Sequence, residues 1–436
     1  MKSLWQETAE LPEFQSLEGD TRTDVAIVGG GMAGLLCAHR LQRRGIPYVL
    51  VEKGRIAEGT TGHTTAKLTV QHGLIYHRIA KDRGREAAAL YYKLQKDALE
   101  EYGRLCREID CDYRALPHAV YTVDDRRTME EEMRVLESIG ASAEWMERAD
   151  LPFKTAGAVS VRDQACFHPL KFLSALVGEL NIREQTFVRK IEEGCVHTDR
   201  GRIFAKHILV TTHFPMINFH GSYFLKLYQH RSYVLALKNA RLPDRMYVDD
   251  DCSGLSFRPA DNLLLLGGGG HRTGKDEGGY SELRCAARLY APTAEEVAAW
   301  GAQDCMSLDG MPYIGRYSAG MTGVYVASGF NKWGMTGSMV AAEGLTAELL
   351  GESFEGKELF SPSRGMLKTQ LWINGGESIK NLFSFSGKRC SHLGCALKWN
   401  RQEHTWDCPC HGSRFSEEGR VLNNPANKDL PNKNEK

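Results

Sequence analysis

No sign of charge prevails in this chain. Its 436 residues carry 55 Lys and Arg against 55 Asp and Glu, so no global field draws it toward nucleic acid or an anionic membrane, and binding to a polyanion is not expected. No stretch approaches the roughly 20 apolar residues of a bilayer span. Met1 to Asp20 is polar and acidic, without the basic and then apolar profile of a signal peptide, which predicts a cytoplasmic protein. What is present is ordinary globular material: 42% apolar residues and 44 glycines, together roughly half the chain. At about 150 residues per domain the length allows two or three domains.

Cysteine is plentiful but unevenly spread. Eight of twelve (37, 106, 111, 166, 195, 252, 285 and 305) are scattered singly and read as reduced, mostly buried thiols. The other four, Cys390, Cys395, Cys408 and Cys410, crowd into 21 residues together with His392, His404 and His411. The spacing Cys390-x-His392, fifteen residues, Cys408-x-x-His411 gives two short loops that each offer one thiolate and one imidazole.

This pattern resembles the Rieske [2Fe-2S] family. There two thiolates hold one iron and two neutral imidazoles the other, which lifts the potential to about −150 to +300 mV. The resemblance implies Cys390, His392, Cys408 and His411 as ligands and, as in the high-potential branch, a disulfide between Cys395 and Cys410. Zinc is the competing reading, since a Cys/His foursome also suits a tetrahedral ion, but it leaves the two extra cysteines unexplained. Ser413 matches a family serine that hydrogen-bonds the cluster. Phe415 stands where respiratory-chain members have tyrosine; one donor fewer predicts a potential below the top of the range. His404 matches no ligand position and reads as part of a hairpin turn with a solvated face. Pro425 occupies the place of a loop that shields the cluster. A Rieske domain normally carries a base of several strands before its first ligand loop. Here, between the helix ending near Leu350 and Cys390, there is room for two or three, so the domain (375–436, after a linker at 353–374) is expected to be shortened.

The N-terminal end carries a second cofactor pattern. An apolar strand from Asp24 runs through Gly29-Gly-Gly31-Met-Ala-Gly34 into a helix to about Arg44. Gly29 permits the tight turn, Gly31 lets a pyrophosphate approach the helix start, and Gly34 allows helix and strand to pack. A second strand ends in Glu52, placed to bind the ribose hydroxyls of an adenosine. On this alone NAD fits as well as FAD. The stretch Gly59-Thr60-Thr61-Gly-His63-Thr64-Thr65 resembles the loop after the second strand in the D-amino-acid oxidase and glycine oxidase superfamily, where small hydroxylic residues line the flavin diphosphate. Leu308-Asp-Gly-Met-Pro-Tyr-Ile-Gly315 and Gly323 through Gly329 to Gly334-Met335-Thr336 are similar to that family's closing segments. The resemblance implies FAD, with Gly329, Gly334, Met335 and Thr336 near the flavin ring. His63 parallels the histidine that binds FAD covalently in some relatives. The tryptophan before it there is Gly62 here, so a non-covalent loop histidine is expected.

The expected fold is therefore an α/β FAD-binding domain of D-amino-acid oxidase type (1–352), Rossmann-like, with an interleaved α+β substrate subdomain at about 82–150 and 216–300, followed by a small all-β Rieske domain. Leu90, Leu94, Leu99 and Leu105 mark a core-facing helix from about Glu86 to Arg107, and Ser256 to Gly267 reads as a hairpin turning at Asp261-Asn262. Family members oxidise C–N bonds by hydride transfer to the flavin, often clamping a substrate carboxylate with arginine; Arg258, Arg272 and Arg316 are the candidates. Flavin takes two electrons and a Rieske cluster carries one. The architecture resembles bacterial FAD-dependent oxidoreductases with a C-terminal Rieske domain and implies a dehydrogenase of an amine, amino acid or N-methyl amine that passes electrons singly to an unidentified carrier. The alternatives are a reductase working in the opposite direction and a non-catalytic redox sensor or shuttle.

Overall fold

A computed structural model describes residues 2–217, 220–251, 254–275, 278–366, 368–384 and 387–431; Cys252 lies outside them. Strand Thr21–Val28 runs into helix Met32–Arg43 and then strand Tyr48–Val51. Both strands are parallel, with Val25 opposite Tyr48, and strand Arg202–Val210 lies parallel on the other side, with Ala26 opposite Ile208. The inner halves of these strands are wholly apolar and buried, as expected for a parallel sheet covered on both faces. Gly34 is required where helix and strand cross, because a Cβ there would lie 2.0 Å from the Gly29 carbonyl oxygen. Strand Val324–Ser328 extends the sheet and leads to helix Gly334–Leu350, buried on most sides.

A second sheet of eight strands draws on both parts of the expected substrate subdomain. It contains His118–Thr122 from the first part and the long strands Leu227–Lys238 and Leu263–Arg272 from the second, but also Gly157–Val161, beyond the first part, and Glu295–Ser307, which runs past the end of the second. The hairpin turns at Asp261, with Ala260 opposite Leu263. Helix Arg85–Cys106 buries Leu94, Leu99 and Leu105 in the shared core, with Leu90 at its edge.

The C-terminal module is a four-stranded antiparallel sheet, Lys398–Asn400, Thr405–Asp407, Arg414–Phe415 and Val421–Asn423. Ahead of it the structure departs from expectation. The described residues between 351 and 388 contain no strand; a helix, Thr369–Leu382, fills the space reserved for a strand base, and a short helix, Lys357–Phe360, lies in the expected linker. The reason is periodicity. Gln370, Asn374, Glu377 and Asn381 recur every three or four residues, and this polar stripe fastens the helix to the rest of the protein. No described helix is long and apolar enough to cross a membrane.

Candidate functional site: a flavin cavity walled by an iron-sulfur module

One cavity of about 990 Å³ opens between the two large sheets. Its nucleotide end is formed by Gly29, Gly31 and Glu52. Glu52, at the end of its strand, accepts hydrogen bonds from the amides of Gly30 (2.8 Å) and Gly54 (3.1 Å). The short helix Thr60–His63 brings the hydroxylic loop across the cavity: Thr61 Oγ1 accepts from the Met32 amide at the helix start (3.0 Å), and Thr60 donates to the Gln303 carbonyl (2.7 Å). Thr60, Thr61, His63, Thr64 and Thr65 all line the wall. His63 Nδ1 is 2.9 Å from the Gly59 carbonyl oxygen. Thr211 and Thr212 complete this end from the close of strand Arg202–Val210.

At the other end Gly334 and Met335 line the cavity; Gly329 and Thr336, both buried, do not. Thr336 donates to the Thr69 carbonyl (3.2 Å), and its hydroxyl is 3.1 Å from His72 Nε2. The three arginine candidates for a carboxylate clamp are elsewhere. Arg258 is buried with its guanidinium over Trp5 and bonded to the Phe167 carbonyl, Arg272 holds the C-terminal module, and Arg316 is exposed at a sheet edge. The charged groups that do line this end are Lys67, Lys332, Asp304 and the run Asp249–Asp251, with Arg78 also in the wall. Burial, reinforced by Arg258 and Lys332, brings Lys67 down to about 7. Burial raises Asp304, and burial with neighbouring Asp249 brings Asp250 up to about 7. Lys67 ends the hydroxylic loop and Lys332 lies in the closing segment before Gly334, whereas Asp304 and Asp249–Asp251 escaped sequence reasoning because they belong to no spaced motif.

In the C-terminal module Cys395 and Cys410 are joined in a disulfide, their Cα atoms 6.7 Å apart. The sulfurs of Cys395, Cys408 and Cys410 lie within 4.8 Å of one another, and Cys390 and Cys408 contact each other through their sulfurs. Across from them the rings of His392 and His411 stand 5.0 Å apart and perpendicular. Burial lowers His392 to about 4 and His411 to about 3, which keeps both imidazoles in the neutral form that ligates metal. Both His411 nitrogens are buried and lack a well-formed hydrogen bond among the described residues. Two thiols facing two neutral imidazoles, with the neighbouring cysteines tied off as a disulfide, fit the Cys₂His₂ set of a Rieske centre. Ser413 bonds the Cys390 sulfur and accepts from the Ala426 amide (3.0 Å), while Phe415 is buried in the module's core.

Residues 24–349 match the FAD dependent oxidoreductase family, and residues 365–433 match the Rieske [2Fe-2S] domain. A Rieske 2Fe-2S iron-sulfur protein of Bacillus subtilis strain 168, YhfW, is 32% identical over 98% of this chain and 97% of its own. The chain belongs to the FAD-dependent oxidoreductase family and carries a C-terminal Rieske domain. Gamma-glutamylputrescine oxidoreductase of Escherichia coli K12 is 26% identical over 80% of this chain and 88% of its own. Glycine oxidase from Geobacillus kaustophilus, 18% identical, shares the fold with a TM-score of 0.63, over 79% of this chain and 99% of that one.

In this family member the Rieske module forms part of the flavin cavity. Asn424, Pro425 and Ala426 line it beside His213, and Asn424 Nδ2 donates to the Phe214 carbonyl (2.6 Å). Gln229 in the substrate sheet donates to the carbonyls of His411 (3.0 Å) and Asn424 (2.8 Å), and Gln303 donates to that of Gly412 (2.9 Å). Gly412 permits this approach, since a Cβ there would meet Gln229 Cβ at 2.4 Å. Arg272 donates to the carbonyls of Pro409 (3.1 Å) and Cys410 (3.0 Å). The ring of Phe214 is 6.3 Å from His411 and 6.5 Å from His392.

The hairpin turn at His404 is present, and Arg401, Gln402 and His404 form its solvated face; Glu403 between them departs from it. Glu403 is inserted into the flavoprotein, bonded to Arg231 (Nε to Oε2, 3.0 Å) and Tyr233 (3.2 Å) and paired with Arg414 (3.1 Å). Burial raises its pKa, but Arg231 and Arg414 outweigh that and hold the carboxyl below its ordinary range.

Proposed function

We propose that the protein is a dehydrogenase of an amine, amino acid or N-methyl amine whose electrons leave singly through the Rieske module to a carrier. The observation that carries this reading is that one cavity is lined by the dinucleotide fingerprint, by carboxylates with Lys67, and by the Rieske loop Asn424–Ala426. The cofactors, when bound, supply hydride acceptance and one-electron transfer; the protein's residues supply position, charge and proton movement.

Asp304 and Asp249–Asp251 favour a cationic substrate at this end. An ammonium ion has no lone pair and must lose a proton before a C–H hydride can depart. Lys67 Nζ, brought to about 7 and hydrogen-bonded to Thr65 Oγ1 (3.2 Å), is the group in the wall suited to accept it. That the relative in Escherichia coli is a gamma-glutamylputrescine oxidoreductase supports an amine as the substrate class.

The test is anaerobic. Purified holoprotein is mixed with a panel of amines, amino acids and N-methyl amines while flavin absorbance is followed. Bleaching by one substrate class, followed by reduction of the cluster, supports the reading. If no amine bleaches the flavin but a chemically reduced carrier does so through the cluster, electrons flow the other way.

A further inference from the structure

Helix Thr369–Leu382 is turned inside out. A helix on the surface of a globular protein normally buries its apolar stripe and exposes its polar one. Here the buried stripe is polar. Asn374 accepts from Arg272 (2.9 Å) and Gln370 (3.0 Å) and donates to the Leu225 carbonyl (3.2 Å), Glu377 pairs with Lys275 (2.7 Å), and the buried Asn381 donates from its side chain to the Glu377 carbonyl (2.8 Å) while its main-chain carbonyl accepts the Ala396 amide (2.9 Å). The opposite side presents Trp372 and Phe383, each 73% exposed, with Ile373, Ile379 and Leu382. The apolar surface continues onto the first cluster loop. Leu393, the residue after the ligand His392, is exposed, and Leu382 packs toward Gly394.

The charge around this face is one-sided in a chain that is neutral overall. From residue 366 to 401 there are six basic residues and one acidic one, Glu377; Lys368 is paired with Asp82, while Lys380 on the helix and Arg389, bonded to the carbonyls of Leu382 and Gly394, stand beside the exposed side chains. Glu377 is on the buried side and already paired. Aromatic residues toward both ends of an exposed apolar stripe, with basic residues around it, are the features of a helix that lies in a membrane interface. A second copy of the chain would bring two such basic borders together, whereas anionic headgroups complement them.

We propose that the helix Thr369–Leu382 and the cluster loop at Leu393 form one face that docks on an anionic lipid bilayer. The protein is then held peripherally, apolar side chains at the depth of the headgroups and basic ones among the phosphates, with the loop carrying His392 next to the lipid. The attachment needs no spanning segment, and it does not depend on the direction of electron flow.

The test is flotation of the full-length holoprotein with vesicles of phosphatidylglycerol and phosphatidylethanolamine, and separately of phosphatidylcholine alone. The wild type is expected to float with the first and not the second, and to be released by salt. Trp372→Ser with Phe383→Ser should weaken partitioning by about tenfold or more, with flavin and cluster absorbance unchanged. Lys380→Glu with Lys388→Glu, which leaves the apolar side chains in place, should do the same. Absence of wild-type binding to either vesicle overturns the proposal, as does binding that both double variants retain in full. A dimer in light scattering that Trp372→Ser with Phe383→Ser converts to monomer, without vesicle binding, assigns the face to a second copy and also overturns it.

Discussion

Gln229 Nε2 donates a 3.0 Å hydrogen bond to the main-chain carbonyl of His411, and the same nitrogen reaches the carbonyl of Asn424 at 2.8 Å. One side chain of the substrate sheet thereby holds both a ligand loop of the cluster and the loop that closes the flavin cavity. Gln229→Leu leaves those two buried carbonyls without this donor, a loss of about 1–3 kcal/mol for each one left unsatisfied. The expected result is a lower melting temperature and, in anaerobic stopped flow, slower electron exchange between flavin and cluster with flavin reduction by substrate little changed. Exchange at the wild-type rate would show that the docking bond is not needed for transfer.

The ligand assignment is open to direct removal. Cys408→Ala or His411→Ala should abolish the visible absorption and the low-temperature EPR signal of the cluster while leaving the flavin bands. Iron should fall from two per chain in the wild type toward none in the variants, with zinc absent from both. Zinc in place of iron in the wild type would reassign the site.

Lys67 sets an expected pH dependence. Burial and the neighbouring Arg258 and Lys332 lower its pKa to about 7, so below that pH Nζ is protonated and cannot accept a proton, and above it the neutral amine can. The rate of flavin reduction by substrate should therefore rise as pH passes through about 7. Lys67→Met should remove that limb and cost roughly 10²- to 10⁴-fold in rate. A profile that keeps the same limb in the variant would assign the proton transfer to another group.

The Arg231–Glu403 pair joins the two domains out of reach of solvent, Arg231 being 3% exposed at its side chain and Glu403 11%. Arg231→Met leaves Glu403 with Arg414 as its remaining cation, and breaking a buried pair costs about 3–5 kcal/mol when nothing compensates. With Arg414 still present the loss should lie toward the lower end, and Glu403→Gln in the same chain should recover part of it. Thermal melts of the single and double variants measure both.

What was legible in the sequence was local. Gly29, Gly31, Gly34 and Glu52 form one continuous strand, turn, helix and strand, and Cys390, His392, Cys408 and His411 lie on two short loops, so spacing alone constrains where they stand. The disulfide pair came with the family resemblance. What spacing cannot reach is contact between distant segments. Asn374 is buried because Leu225 and Arg272, far away in the chain, accept and donate to it, and Glu403 is buried because Arg231 waits in another sheet. Read alone, both stretches look like solvated surface or linker. The same limit explains the arginines: Arg258 and Arg272 lie on strands beside the site, but their side chains are committed to carbonyls outside the cavity.

The loop Asn424–Ala426 closes a cavity that Gly29 and Gly31 begin. During synthesis Gly29 and Gly31 emerge hundreds of residues before the loop that completes the chamber around them. Without the C-terminal module in its seat, the chamber stands open on the side that Asn424–Ala426 line.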